Sequence, residues 1–154
     1  MKTRTSVLTL ALCFAAAAVC FASDAQMGTW KLNEAKSKLA PGLAKNTTVV
    51  VEAVGDDMKV TVDGIDRDGK PAHNEWTGKF DGKDYPVTGD PNTDARSYKK
   101  VDDRTLGLTA KKDGKVATTG RIVLSADGKS RTVSTTVTDS TGKKVKSTAV
   151  YDKQ

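Results

Sequence analysis

The chain is poor in the residues on which most site chemistry depends. It holds two cysteines, one histidine, two tryptophans, three tyrosines and three phenylalanines in 154 residues. Both cysteines, Cys13 and Cys20, fall in an apolar N-terminal segment. If that segment is removed, no disulfide, cysteine–metal site or thiol nucleophile remains. With His73 as the sole histidine, neither a Ser-His-Asp arrangement nor a His-based metal cluster has a pattern to rest on. Gly-x-Ser-x-Gly elbows and phosphate-binding loops are missing too. The longest apolar run, 7–21, is shorter than the roughly 20 residues a spanning helix needs. Lysines are scattered singly through turns and strands, a distribution that serves solubility and edge protection rather than a clustered nucleic-acid footprint.

What is present begins with a secretory signature. Lys2 and Arg4 precede the apolar run, and the small residues Ala22, Ser23 and Ala25 follow it. This order predicts an export signal over 1–22, with cleavage after Ala22 or Ala25, and a periplasmic or secreted product without stable membrane insertion. A lipid anchor at Cys20 is disfavoured by Val19, where a small residue is usual. Removing 22 residues leaves 132, enough for one domain over 23–154 with a real core. Loss of Lys2 and Arg4 lowers the net charge of +6 by two, to +4.

Turn signals then recur. Asp68-Gly69-Lys70, Asp81-Gly82-Lys83, Asp113-Gly114-Lys115 and Asp127-Gly128-Lys129 share one motif, and Thr141-Gly142-Lys143 varies it. Asp-Gly marks hairpins because glycine accepts the positive φ of tight turns. Between the turns, residues alternate. Met58, Val60 and Val62 share one face, as do Ala72, Trp76, Gly78 and Phe80, whereas His73, Glu75 and Lys79 oppose them. Leu106, Leu108 and Ala110, then Val133 and Val137, then Val145, Ala149 and Tyr151 continue the apolar face. Period two with one wet face predicts antiparallel strands. Ten are expected, near 28–32, 46–54, 58–65, 72–80, 84–88, 94–101, 105–111, 116–124, 131–139 and 144–152. Short connections make a meander, and a meander with one apolar face must curl and close. The expectation is an all-β, ten-stranded antiparallel up-and-down barrel. The span 33–39, before Pro41, is the one helical candidate, placed to cap a barrel end.

Gly28-Thr29-Trp30-Lys31-Leu32 opens the domain and Ala149-Val150-Tyr151-Asp152-Lys153 closes it. These segments resemble the Gly-x-Trp strand and the terminal Arg-x-Tyr-Glu-Lys of the calycin superfamily, the lipocalins and fatty-acid-binding proteins. The chain also resembles small exported bacterial lipocalin-like proteins. The resemblance implies that Trp30 closes one barrel end beneath an arginine. It also implies that the interior accepts a small hydrophobic ligand. Two departures stand against fatty-acid binding of the familiar kind. Ala149 occupies the place of the carboxylate-binding arginine, and 33–45, broken by Pro41-Gly42, is too short for a two-helix lid.

Candidate ligand contacts are Trp76, Phe80 and Tyr151 on the inner face, with Arg121 or Tyr151 orienting a polar group. Arg121 alternates with Ile122 and Leu124, so either it or they point inward. An inward arginine demands an anion or an aromatic partner, and the resemblance places one there. Tyr85, Arg96 and Tyr98 are assigned to strand surfaces or to the mouth. Asp66-Arg67-Asp68-Gly69 is assigned to a hairpin, since it lacks the downstream acidic ligand of a calcium loop.

Two functions lead: a monomeric, non-catalytic, cofactor-free binding protein, and a filled-barrel interaction module of the cell envelope; an envelope enzyme built on carboxylates alone is a third, with little in the sequence behind it. A continuous apolar cavity of roughly 300 Å3 or more favours the first. N-terminal sequencing of protein recovered from the envelope is expected to begin at Ser23 or Gln26; a chain beginning at Met1 would overturn the export signal.

Overall fold

The structure is a computed structural model that describes residues 25–139 and 141–154. The segment read as an export signal, with Cys13 and Cys20, lies outside the described residues. Ten strands follow in chain order: β1 (Gly28–Leu32), β2 (Lys45–Val54), β3 (Asp57–Ile65), β4 (Pro71–Gly78), β5 (Tyr85–Thr88), β6 (Ala95–Lys100), β7 (Thr105–Lys112), β8 (Lys115–Leu124), β9 (Ser130–Thr138) and β10 (Lys144–Lys153). Each pairs antiparallel with its chain neighbour, and β1 pairs with β10, so the sheet is a closed meander barrel. This is the expected architecture, strand for strand.

Turn chemistry works as the motifs imply. Asp113 and Gly114 both take positive φ (49° and 74°), the requirement of the tight primed turn that joins β7 to β8. At Asp127 and Asp139 the carboxylate accepts backbone N–H groups two or four residues on, which holds the turn closed. Asp66 does the same for Asp68 and Lys70, so its segment is a hairpin, as assigned. Asp81-Gly82-Lys83 differs. It sits within the wider β4–β5 connection, and the Gly82 amide donates to the Tyr98 carbonyl at 2.9 Å. Accordingly β4 stops at Gly78, and Phe80 lies beyond it rather than on it. The helical candidate over 33–39 contracts to one 3-10 turn, Glu34–Lys36, capped by the Asn33 side chain. It lies along β10, where Asn33 donates to Asp152 at 2.6 Å and Lys38 bridges to Thr148.

The strand directions define two ends. The start of β1 and the β2–β3, β4–β5, β6–β7 and β8–β9 connections lie at one end, and the other connections form the opposite rim. The buried core runs from Trp30 through Val49, Val51, Met58, Val60 and Trp76 to Leu106, Ile122, Leu124 and Tyr151. The alternation therefore decides burial as expected, with His73 and Lys79 outside.

Gly64 fixes one detail of the wall. A β-bulge shifts the β2–β3 register between Asn46 and Thr48, and a Cβ on Gly64 would strike the Lys45 carbonyl and come within 2.9 Å of the Asn46 Cα. Both obstacles are backbone, so the strands themselves must move. Gly64→Ala is expected to lower stability by about 1–3 kcal/mol in urea unfolding, and an unchanged midpoint would show that the bulge is free to relax.

Candidate functional site

The interior is divided. At the β1-start end Trp30 is fully buried, 0% exposed, and its Nε1 donates to the Gln26 carbonyl at 2.9 Å. An aromatic cluster lies toward the same end. Trp76 stacks on Phe80 (centroids 6.1 Å apart) and meets Tyr85 and Tyr98 edge-on at 5.7 and 4.8 Å. The Trp76 Nε1 donates to the Arg96 carbonyl at 2.8 Å, so its one polar atom is met inside the core. Gly78 makes the cluster possible, because the Tyr85 ring occupies the space its side chain would fill. Such pairs contribute about 0.5–1.5 kcal/mol each beyond simple burial.

The other half is hollow. A cavity of about 250 Å3 opens between the loops around Leu43-Ala44, Asp66-Arg67 and Gly89–Thr93. Its walls mix Val62, Leu108, Ile122 and Val133 with Asn74, Thr118 and Thr135. This volume lies just below the ordinary range of about 300–1,000 Å3 for small-molecule pockets. The barrel is thus neither fully packed nor fully open.

Three arginines line this cavity: Arg67 is exposed on the rim, and Arg96 and Arg131 are buried. Arg96 projects from β6 and is 9% exposed. Its Nη2 donates to the Asn74 Oδ1 at 3.2 Å and lies 3.7 Å from the Asp90 Oδ2, so the protein supplies its counter-charge. Asp90 is held in turn by Thr93, whose hydroxyl donates to it at 2.6 Å. Arg131 projects from β9 and is 4% exposed. Its guanidinium lies 4.7 Å from the Trp30 ring and 5.5 Å from the Tyr151 ring. Register explains the second contact, because Arg131 and Tyr151 are cross-strand partners. Among the described residues Arg131 has no ion-pair partner, and its Nε is buried without a hydrogen bond. Burial pulls its pKa down to about 10, leaving it cationic at neutral pH. Burial likewise pushes the Tyr151 hydroxyl up to about 12, so it stays neutral; it donates to the Asn46 carbonyl at 3.1 Å.

The expected site residues separate. Tyr151 lines the cavity. Trp76 and Phe80 face inward but pack in the aromatic cluster, and neither lines the cavity. Arg121 is exposed, because Ile122 and Leu124 take the inner face of β8; apolar burial decides that parity. The arginine over Trp30 is Arg131, a residue the sequence reading did not single out. Its signal was parity, since Arg131 shares the inner face with Val133 and Val137. Of the three residues assigned to surface or mouth, Arg96 reaches the cavity wall and Tyr98 reaches both cluster and cavity. Tyr85 packs at the far side, with its hydroxyl donating to Asp81 at 3.0 Å. His73 lies outside the barrel, 2.7 Å from the Asp63 carboxylate, a bond that raises the imidazole pKa above its ordinary value.

No protein-family model and no curated protein matches the chain. Among solved structures, it is similar to a redesigned β-barrel, mFAP1, bound to DFHBI. The two are 18% identical, the match covers 86% of this chain and 98% of that chain, and the TM-score is 0.46.

Arg131 sets two energies against each other. Desolvating an unpaired cation costs several kcal/mol, whereas stacking on aromatic faces returns about 2 kcal/mol when buried. The first is larger. Arg131→Met is therefore expected to leave the free energy of unfolding unchanged or raise it by about 1–4 kcal/mol, read from urea unfolding. A clear loss would mean that the ring contacts dominate.

Proposed function

We propose that this chain is an exported, non-catalytic binding protein of the calycin type, which takes a small amphipathic molecule into the open half of its barrel. The observation that carries this reading is the division of the interior. Aromatic side chains that a filled barrel would spread along its axis are gathered at one end, and the other end holds a cavity of about 250 Å3. Open apolar space in a fold weakens packing, since its lining side chains lose dispersion partners. A ligand restores those partners.

The polar groups suit orientation of a ligand rather than chemistry on it. Arg96 and Asn74 stand on the wall, Tyr151 and Arg131 lower down, with Val62, Leu108 and Ile122 between. The sole histidine sits on the outer face of β4, so no imidazole base faces the cavity. The N-terminal charge–apolar–small pattern supports delivery to the periplasm or beyond.

Native mass spectrometry of the mature protein, purified gently from its own envelope, is expected to show a bound small molecule released on denaturation. Val137→Phe, which places a ring into the cavity from β9, is expected to reduce occupancy at least tenfold with the circular dichroism spectrum retained. A bare protein mass, with no thermal shift against a panel of small acids, amides and lipids, would replace this reading with the filled-barrel interaction module.

A further inference from the structure

We infer that the outer wall formed by β6 to β10 is a docking face for an acidic polysaccharide, held by the cations Lys99, Arg121 and Lys146. The inference concerns the outside of the barrel and is independent of what the cavity binds.

The walls of the barrel differ in charge. On β2, β3 and β4 the acids Glu52, Asp57, Asp63 and Glu75 lie among the strand residues, and Lys59 and His73 there meet Glu75 and Asp63. Strands β6 to β9 contain no aspartate or glutamate, and β10 adds only Asp152, which Asn33 and Lys36 already engage. The other acids of this half lie in the turns, where Asp127 and Asp139 direct their carboxylates onto backbone N–H groups. Lysines that are scattered along the chain are thus sorted by the fold.

Register places three of the cations in one line across the strands. Lys99 faces Gly107, and Gly107 faces Arg121, so Lys99 and Arg121 share a row two strands apart. Arg121 faces Ser134, and Ser134 faces Thr148, two residues from Lys146 on the same outer face. At about 4.8 Å between strands and about 3.4 Å per residue, neighbours in this line have backbones roughly 10–12 Å apart. All three side chains belong to exposed residues. None forms an ion pair among the described residues, whereas Lys100 and Lys111 are taken by Asp103 and Asp84.

What lies between the cations selects the partner. Thr119, Ser134, Thr136 and Thr148 fill the rows with hydroxyls. Tyr98 and Tyr151, the aromatic residues of these five strands, are both buried. Single-stranded nucleic acid is held by stacking on aromatic rings, and a membrane-surface element by large apolar side chains. This wall offers neither, since its exposed apolar residues are the short Val116 and Val123. A convex barrel wall also meets a flat bilayer only along a line, whereas a flexible chain can follow the curve. Spaced cations with hydroxyls between them complement a polyanion whose uncharged parts are themselves hydroxylated, and an acidic polysaccharide is such a polymer.

Fluorescence anisotropy with a labelled oligogalacturonate at low ionic strength is expected to show binding that weakens as salt is added. A labelled neutral dextran oligomer is expected not to bind. Lys99→Gln, Arg121→Gln and Lys146→Gln combined are expected to weaken binding at least tenfold. Lys45→Gln, Lys59→Gln and Lys70→Gln combined remove the same charge from the other side of the barrel, and are expected to leave binding within about twofold. Both triple variants are expected to keep the circular dichroism spectrum of the parent. Equal loss in the two triple variants would reduce the attraction to net charge and overturn the face. No binding by the unaltered protein would overturn it outright. Binding as tight or tighter to a single-stranded oligodeoxynucleotide, or to phosphatidylglycerol vesicles, would overturn the polysaccharide assignment in favour of that partner. Every one of these outcomes leaves the cavity reading standing.

Discussion

Closure of the sheet through β1 and β10 is the constraint on which the rest of the molecule depends. Trp30, Lys31 and Leu32 pair with Lys153, Asp152 and Tyr151. That short seam removes the last free edges and encloses the apolar faces of all ten strands. It also brings the first and last signature segments together, so Trp30 and Tyr151 become neighbours across the barrel interior. Arg131, opposite Tyr151 on the neighbouring strand β9, reaches both rings. The β1–β10 backbone pairing and the buried Trp30 and Tyr151 rings fasten the two chain ends, and Arg131 is held there at an electrostatic cost.

A closed barrel has a fixed interior, and this sequence has few large side chains with which to fill it. The two tryptophans, Trp30 and Trp76, are both fully buried toward the end where β1 starts. Phe80, Tyr85 and Tyr98 gather around Trp76 rather than spreading along the axis. Valine, alanine, threonine and serine line what remains. The cavity follows from that economy of volume, and the asymmetry between a packed half and an open half gives the barrel a floor and a mouth. The rim loops, with Asp90 locked to Arg96, then stand where a ligand would enter.

Buried charge distinguishes the two halves in a second way. The rim solves its electrostatics internally, through Arg96, Asp90 and Asn74. The floor does not, since Arg131 is left with aromatic faces alone. Unpaired buried ions are costly, and proteins that retain them commonly do so for a ligand or a switch. The outer surface carries a different pattern, with short ion pairs such as Lys59–Glu75 at 2.8 Å and Lys111–Asp84 at 2.6 Å. Those pairs are solvated, contribute little to stability, and keep the sheet exterior polar.

The sequence by itself determined the strands, their order and the inner face of nearly every one. Period-two alternation and Asp-Gly turns are local signals, and a meander needs no other information to be traced. The Gly-x-Trp opening pointed to Trp30, which is fully buried. Three things were decided only by tertiary structure. The parity of β8 was ambiguous because Arg121 and Ile122 sit side by side, and burial of Ile122 and Leu124 settled it. Trp76 and Phe80 were correctly placed inside, but whether inward residues line a space or fill it depends on side chains from distant strands, here Tyr85 and Tyr98. The pairing of Arg131 with Trp30 spans a hundred residues, and its lack of a carboxylate partner can be seen only when every neighbour is in place. Local sequence specifies direction and period. Volume and charge balance are sums over the whole enclosed interior.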